Sequence, residues 1–401
     1  MTDCYQPVKI TNSVYWVGAI DWDIRDFHGY SVNRGTTYNA YLVVSDKIVL
    51  IDTVKESFTE EMMSRISKVV EPRKIDYIVS NHSEMDHSGA LPVVASHINP
   101  DRIFASKMGV KALKQHFPDQ DIPVEEIQNN QTLDLGGKTL RFIETRMLHW
   151  PDSMFTWLPE EKVLFSQDAF GLHLATAERF ADQVRPTVVY REMAKYYANI
   201  LMPYSHLVSR LLDSVRKMDL KIDIIANDHG PVFRRDIANL LSWYQTWAEQ
   251  APTPRAVIIY DTMWGSTKTM ANIIAEGIYA GGGEPAPMPL SGVHRSDVAR
   301  ELLQSGGLIV GSPTLNNNIF PTVADVMCYL KGLQRKNLVG AVFGSYGWSG
   351  EAVGHMKSML EEMKVEIIGE QKIQYVPGAD EQRTCYDLGF SIGNRLSQNR
   401  R

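Results

Sequence analysis

His82-Ser83-Glu84-Met85-Asp86-His87 places four potential metal ligands in six positions, directly after the apolar, strand-like run Ile75-Asp76-Tyr77-Ile78-Val79. A strand end followed by a turn rich in imidazole and carboxylate aims several lone pairs into one small volume. That much buried charge is tolerable only around a cation. The donors are nitrogen and oxygen with no thiolate, and Glu84 stands where another imidazole would serve. Such a set favours a harder, redox-active metal such as iron or manganese over a structural zinc.

One cluster supplies only part of a metal shell, so further ligands are expected at other strand ends. His149 follows the run Phe142 to Leu148, Asp168 follows Val163 to Gln167, and His229 follows Ile222 to Asp228 and precedes Gly230-Pro231. Each comes straight after an apolar run, beside residues that do not continue a strand. His97, His116, His173, His206, His294 and His355 are read as ordinary turn or packing residues.

A chain of 401 residues is expected to form two or three domains, and 44% hydrophobic with 22% charged residues is the composition of an ordinary globular protein. A net charge of -6 without a basic stripe gives no electrostatic reason to expect nucleic acid. No apolar stretch approaches the roughly 20 residues of a membrane span, and the start lacks the basic and apolar regions of a signal peptide. The expected location is the cytoplasm. Cys4, Cys328 and Cys385 lie far apart and form no Cys-x-x-Cys pair, so no disulfide framework and no cysteine-bound iron or zinc module is encoded.

Two prolines in Ala251-Pro252-Thr253-Pro254 suit a short extended linker, which sets the expected boundary between residues 1–250 and 251–401. In the first part, Tyr38 to Val44 and Ile48 to Ile51 flank a turn, as do Thr132 to Leu135 and Thr139 to Ile143. Helical patterns cover Phe58 to Val70, Lys107 to His116 and Glu192 to Lys217. In the second part, apolar runs at 256–260, 307–311 and 338–343 each lead into a glycine-containing turn and a helical pattern, the rhythm of a doubly wound parallel sheet.

The turn after the first of these runs reads Asp261-Thr262-Met263-Trp264-Gly265-Ser266-Thr267-Lys268-Thr269-Met270. Small hydroxyl residues and a glycine at a helix start make a phosphate cradle, because free backbone N–H groups and the helix dipole favour an anion there. The pattern is neither that of nucleoside triphosphatases nor that of dinucleotide folds, which leaves a single phosphate, as in FMN. Gly311-Ser312-Pro313-Thr314-Leu315-Asn316-Asn317-Asn318 and Gly344-Ser345-Tyr346-Gly347-Trp348-Ser349-Gly350-Glu351 supply two more strand-end loops around the same crevice.

His82-x-Glu84-x-Asp86-His87, with His149, Asp168 and His229, resembles the metallo-β-lactamase fold in the variant where Glu replaces the second His of the usual His-x-His-x-Asp-His. That variant belongs to the flavodiiron proteins, also called A-type flavoproteins. Asp26-Phe27-His28-Gly29, Gly35-Thr36-Thr37-Tyr38-Asn39, Met147 to Met154 and Tyr196-Tyr197-Ala198-Asn199 resemble further stretches of the family, and the likeness spans nearly the whole chain. It implies an α/β protein: a metallo-β-lactamase-like αββα sandwich over residues 1–250 and a flavodoxin-like doubly wound sheet over 251–401. It implies that His82, Glu84 and His149 hold one iron, Asp86, His87 and His229 the other, and Asp168 bridges them. His28, Tyr196 and Tyr197 are the residues expected to face a bound oxygen species. The resemblance carries FMN phosphate contacts to Thr262, Trp264, Gly265, Ser266 and Thr267, and ring contacts to Pro313, Thr314, Leu315, Asn316, Tyr346, Gly347 and Trp348.

The activity so implied is reduction of O2 to water or of NO to N2O, in a head-to-tail homodimer or dimer of dimers. The electrons are expected from a separate donor, rubredoxin first and a reduced deazaflavin second. Two other classes remain on the sequence: a dinuclear-zinc hydrolase of the same fold, and an electron carrier with an inert first domain. Glu84 and the flavin loops speak against the hydrolase, and seven intact ligand positions against the carrier.

Overall fold

Alternation along the central strands of the amino-terminal unit builds two cores at once. In Tyr41–Val44, Ile48–Ile51 and Tyr77–Ser80, the side chains Leu42, Leu50 and Ile78 enter one buried cluster. Their neighbours Tyr41, Val43, Val49, Ile51 and Val79 enter another. A strand with both faces covered buries successive side chains on opposite sides, which is why these segments read as continuous apolar runs.

A computed structural model describes residues 4–120 and 122–398. The described chain folds as two units, one formed by residues up to His28, Val32–Tyr196 and His206–Tyr244, the other by Gly29–Ser31, Tyr197–Ser205 and the residues from Gln245 onward. The first unit contains a seven-stranded sheet, ordered Val8–Lys9, Val14–Trp16, Tyr41–Val44, Ile48–Ile51, Tyr77–Ser80, Arg102–Ala105 and Val124–Glu126. A five-stranded sheet, ordered Thr132–Asp134, Thr139–Glu144, Met154–Leu158, Val163–Gln167 and Ile224–Asn227, faces it across the second core, where Val79 and Phe104 meet Phe142 and Phe165. Helices Thr59–Val69, Leu91–Ile98 and Lys107–His116 cover the outer face of the larger sheet.

The helix expected over Glu192 to Lys217 is interrupted. Helix Pro186–Tyr196 passes through a wide turn at Tyr197–Leu201 and a tight one at Met202–Tyr204 before helix Ser205–Lys217 begins. Pro203 has no N–H to donate and its ring clashes with the preceding turn, so one regular helix cannot run through it. The interrupted segment and Gly29–Ser31 belong to the second unit, where Asn199 Nδ2 donates to the Ser296 carbonyl at 3.1 Å and the Ser31 N–H to Ser296 Oγ at 3.2 Å. Such long-range pairings leave no mark in local sequence.

The second unit carries a five-stranded parallel sheet ordered Glu284–Pro289, Arg255–Tyr260, Gly307–Gly311, Val339–Tyr346 and Glu366–Gln374. In chain order this is 2-1-3-4-5, with the reversal at the first strand, so the loops after the first and third strands border the crevice of a doubly wound sheet. Helices Ser266–Ala280 and Ala379–Ser397 cross closely: a Cβ on Gly389 would lie 2.2 Å from the Ile274 carbonyl oxygen, and one on Gly393 2.2 Å from that of Ile278. Among the described residues no helix is long and apolar enough to cross a membrane.

A candidate metal centre and a candidate flavin cavity

Strand ends of both sheets deliver the amino-terminal cluster. His82 and Glu84 lie in the turn after Tyr77–Ser80, and Asp86 and His87 on the short helix Met85–Ser88. Asp168 follows strand Val163–Gln167, His229 follows Ile224–Asn227, and His149 lies in the loop between strands Thr139–Glu144 and Met154–Leu158. All seven meet. His82, Glu84, His149 and Asp168 offer ligand atoms within 4.8 Å of one another, and so do Asp86, His87 and His229.

Asp168 divides its two oxygens between these groups. Oδ2 lies 2.8 Å from His149 Nε2 and 3.4 Å from His82 Nε2, while Oδ1 lies 3.1 Å from His87 Nε2 and 3.4 Å from His229 Nε2. Glu84 Oε2 completes the first group, 3.3 Å from both His82 and His149. Asp86 Oδ2 completes the second, 3.3 Å from His87 and 3.2 Å from His229.

The donor set fits cations. The His87 and His229 Nε2 atoms face each other at 3.2 Å. His229 Nδ1 donates to the Thr37 carbonyl at 2.7 Å, so in the neutral ring Nε2 carries a lone pair and no proton. Asp86 Oδ1 and Oδ2 and Asp168 Oδ1 are buried without hydrogen-bond partners. Lone pairs and unpartnered carboxylate oxygens converging in a buried volume are costly unless a positive charge sits between them.

The electrostatics agree. Burial pushes each imidazole pKa down, yet the surrounding carboxylates outweigh it and hold His82, His149 and His229 above the ordinary value of 6.5, with His87 raised to about 9. Burial pushes Glu84 and Asp168 up, and the imidazoles overcome it to hold both below the ordinary carboxylate range.

A supporting layer went unread in the sequence. Asp152 places Oδ1 3.6 Å from His82 Nδ1 and accepts the Ser83 N–H through Oδ2 at 2.6 Å. Asp228 Oδ2 lies 3.6 Å from His87 Nδ1. Outer partners of this kind set the ring orientation and basicity of metal-bound histidines. Their signal was proximity, since Asp228 precedes His229 and Asp152 follows His149 by three positions.

His173 is a packing residue, as expected, and it packs against the cluster. Its buried ring packs 4.7 Å from that of His229 and 5.0 Å from that of Tyr196, and Nδ1 lies 2.8 Å from Thr36 Oγ1. Its place beside the cluster escaped notice because Gly171-Leu172 sets it away from the strand that carries Asp168. Tyr196 also faces the cluster: its ring is 5.9 Å from that of His229, its hydroxyl is buried without a hydrogen-bond partner, and burial with the charges of Asp168, Glu84 and Asp86 raises its pKa. His28 approaches from a side chain 76% exposed, with Nε2 3.5 Å from Glu84 Oε1. Tyr197 differs from the expectation. Its hydroxyl lies 3.1 Å from Ser205 Oγ and its ring packs on Trp247, because the wide turn that begins there rotates it away from its neighbour.

In the second unit a cavity of about 570 Å³ opens between the strand-end loops. Nine of the twelve residues expected to contact a flavin line it: Trp264, Ser266, Pro313, Thr314, Leu315, Asn316, Tyr346, Gly347 and Trp348. The other three shape the loops instead. Thr262 Oγ1 accepts the Gly265 N–H at 3.1 Å, Gly265 turns the chain at φ 91°, and buried Thr267 places Oγ1 3.0 Å from Ser345 Oγ. Helix Ser266–Ala280 starts at Gly265 with no side-chain cap, which leaves its first N–H groups for an anion. Met263, Asn317, Ser345, Ser349, Tyr375 and Val376 also line the cavity; the last two come from a strand end that carries no loop motif.

Two sheets that converge on seven candidate metal ligands, followed by a doubly wound sheet with a cavity between its strand-end loops, define a metallo-β-lactamase-like module followed by a flavodoxin-like one. A family profile described as ODP family beta lactamase matches residues 36–230, and one described as flavodoxin matches residues 258–389. The chain is 45% identical to the nitric oxide reductase of Moorella thermoacetica, over 98% of this chain and 99% of that one. The structure of rubredoxin oxygen:oxidoreductase from Desulfovibrio gigas superposes with a TM-score of 0.96 at 41% identity, covering 98% of this chain and 99% of that one. The flavodiiron protein from Giardia intestinalis superposes with a TM-score of 0.95 at 32% identity, covering 98% and 97%. The chain belongs to the flavodiiron protein family and is an oxidoreductase.

Proposed function

We propose that this protein passes electrons from a bound FMN to a non-haem diiron centre at which O2 is reduced to water or NO to N2O. The observation that carries the reading is the division of Asp168 between the two ligand groups. His82, Glu84 and His149 would hold one iron, Asp86, His87 and His229 the other, and Asp168 would bridge them. Two adjacent irons supply one-electron redox steps and open positions for a diatomic molecule. Asp152 and Asp228 orient His82 and His87 from behind. Tyr196 keeps its proton and presents a hydroxyl donor toward the same volume, and His173 stays neutral, because burial and the neighbouring His229 hold its pKa well down. His28 stands at the exposed side of Glu84.

The free N–H groups at Ser266 would take the FMN phosphate, and Pro313 to Asn316 with Tyr346 to Trp348 would enclose its ring. We divide the sequence into two modules at the proline-rich linker, residues 1–250 and 251–401, although Gly29–Ser31, Tyr197–Ser205 and the chain from Gln245 cluster with the second unit. The relatives named for rubredoxin and nitric oxide support rubredoxin as donor and both gases as candidate substrates, with a reduced deazaflavin the second donor. We place the protein in the cytoplasm as a head-to-tail homodimer or dimer of dimers.

Metal and flavin analysis of the purified protein tests the reading, followed by O2 and NO consumption with each reduced donor under anaerobic handling. About one FMN and two irons per chain are expected, with consumption of at least one gas. A colourless zinc protein with no uptake of either gas overturns it.

A further inference from the structure

The strand Glu366–Gln374 runs parallel to Val339–Tyr346, and their last registered pair is Tyr346 with Gln374. Beyond that pair the chain stays fastened to the flavin-side turn. Tyr375 donates its N–H to the Tyr346 carbonyl at 2.8 Å, and Gln374 Nε2 donates to the Gly347 carbonyl at 2.7 Å. A Cβ on Gly347 would lie 3.6 Å from Tyr375 Cε1. Lys372 reaches the same turn, its Nζ 5.6 Å from the centre of the Tyr346 ring. Tyr375 adopts φ 60°, a conformation unfavourable for an aromatic residue, and these bonds hold it there. Tyr375 and Val376 line the cavity although 63% and 75% exposed. Exposed apolar groups clustered at a cavity mouth are a mark of a binding surface.

We propose that Tyr375 and Val376 form a fourth wall of the cavity, fastened to the Tyr346–Gly347 turn by Gln374. Tyr375 and Val376 supply apolar contact for a flat heteroaromatic ring, and Gln374 acts as a positioning residue that fixes how Gly347 presents its peptide to that ring. The inference rests on the flavin reading above. A flavin changes its pattern of ring N–H donors and acceptors with oxidation state, so an amide held in one orientation favours one state over the other. Gln374 therefore biases the potential of the flavin without touching it.

The test uses the full-length protein stripped of flavin, titrated with FMN by fluorescence quenching, with the midpoint potential of the bound flavin measured by spectroelectrochemistry. Gln374→Met keeps the length of the side chain and removes the N–H donor; it is expected to weaken FMN about 5- to 10-fold and shift the potential. Tyr375→Ala is expected to weaken FMN about 3- to 10-fold, and Tyr375→Phe to retain wild-type affinity. Both positions are exposed, so far-UV circular dichroism and iron content should not change. Wild-type affinity and potential in both Gln374→Met and Tyr375→Ala overturn the fourth wall alone. A wild-type protein that takes up no FMN overturns the flavin reading and the wall with it.

Discussion

Asp168 is the side chain on which the candidate metal centre turns, since among the described residues no other reaches both ligand groups with separate oxygens. Asp168→Ala should lower iron to less than one per chain and cut gas consumption by about 100-fold or more, with FMN retained; full iron content would contradict the bridging role. The imidazoles make a second prediction at this scale, for the metal-free protein. His87 is raised from 6.5 to about 9, so its contribution to stability is complete below pH 6.5 and is lost as pH rises through about 9. Glu84 is held below its ordinary 4.5, so its contribution is present above pH 4.5 and lost as pH falls. Thermal melting of chelator-treated protein should therefore peak between these limits. Iron binding requires the bare ring nitrogen, so adding Fe2+ near pH 7 should release protons, measurable by calorimetry in buffers of different ionisation enthalpy. A melting temperature flat from pH 4 to 9 would argue against the coupling.

Elements that depend on local pattern were readable: the expected helix Lys107 to His116 forms with those bounds, and the strands before His82, Asp168 and His229 end close to where their apolar runs stop, whereas the strand before His149 ends at Glu144 and leaves His149 in a loop. Elements that depend on distant partners were not. Pro203, a local signal, breaks a helix that apolar periodicity alone would continue, but the pairing of Tyr197 with Ser205 and the packing of Tyr196 on His229 are set by tertiary contacts. The crossing of helices Ser266–Ala280 and Ala379–Ser397 supplies the test at this scale. Gly389→Ala pushes a methyl against the Ile274 carbonyl, which is backbone and cannot yield, and should destabilise the carboxy-terminal unit by about 1–3 kcal/mol. Urea unfolding followed through flavin fluorescence measures the loss, and iron content serves as the control.

At the scale of the whole molecule, the head-to-tail dimer proposed above, in which the flavin of one subunit would serve the metal centre of its partner, would make activity a property of the pair. Asp168→Ala retains the flavin site, and Ser266→Glu with Thr267→Glu should expel FMN by charge repulsion at its phosphate while sparing the metal cluster. Neither variant alone should consume gas. Co-refolded in equal amounts they should recover roughly a quarter of wild-type activity, because half the dimers are mixed and each mixed dimer has one working pair. No recovery would mean that each chain uses its own flavin.

The candidate metal cluster was legible in the sequence because most of its residues follow the end of an apolar run, and strand ends in layered sheets converge without further instruction. The start of helix Ser266–Ala280 after Gly265 was legible for a similar reason, a helix start being a local event. Tertiary structure alone decided which oxygen of Asp168 faces which imidazoles, that Asp152 and Asp228 stand behind His82 and His87, and that His173 and Tyr375 belong to sites their neighbours in sequence do not announce. Those relations join residues far apart in the chain, and side-chain direction across such distances is set by packing, which local pattern does not encode.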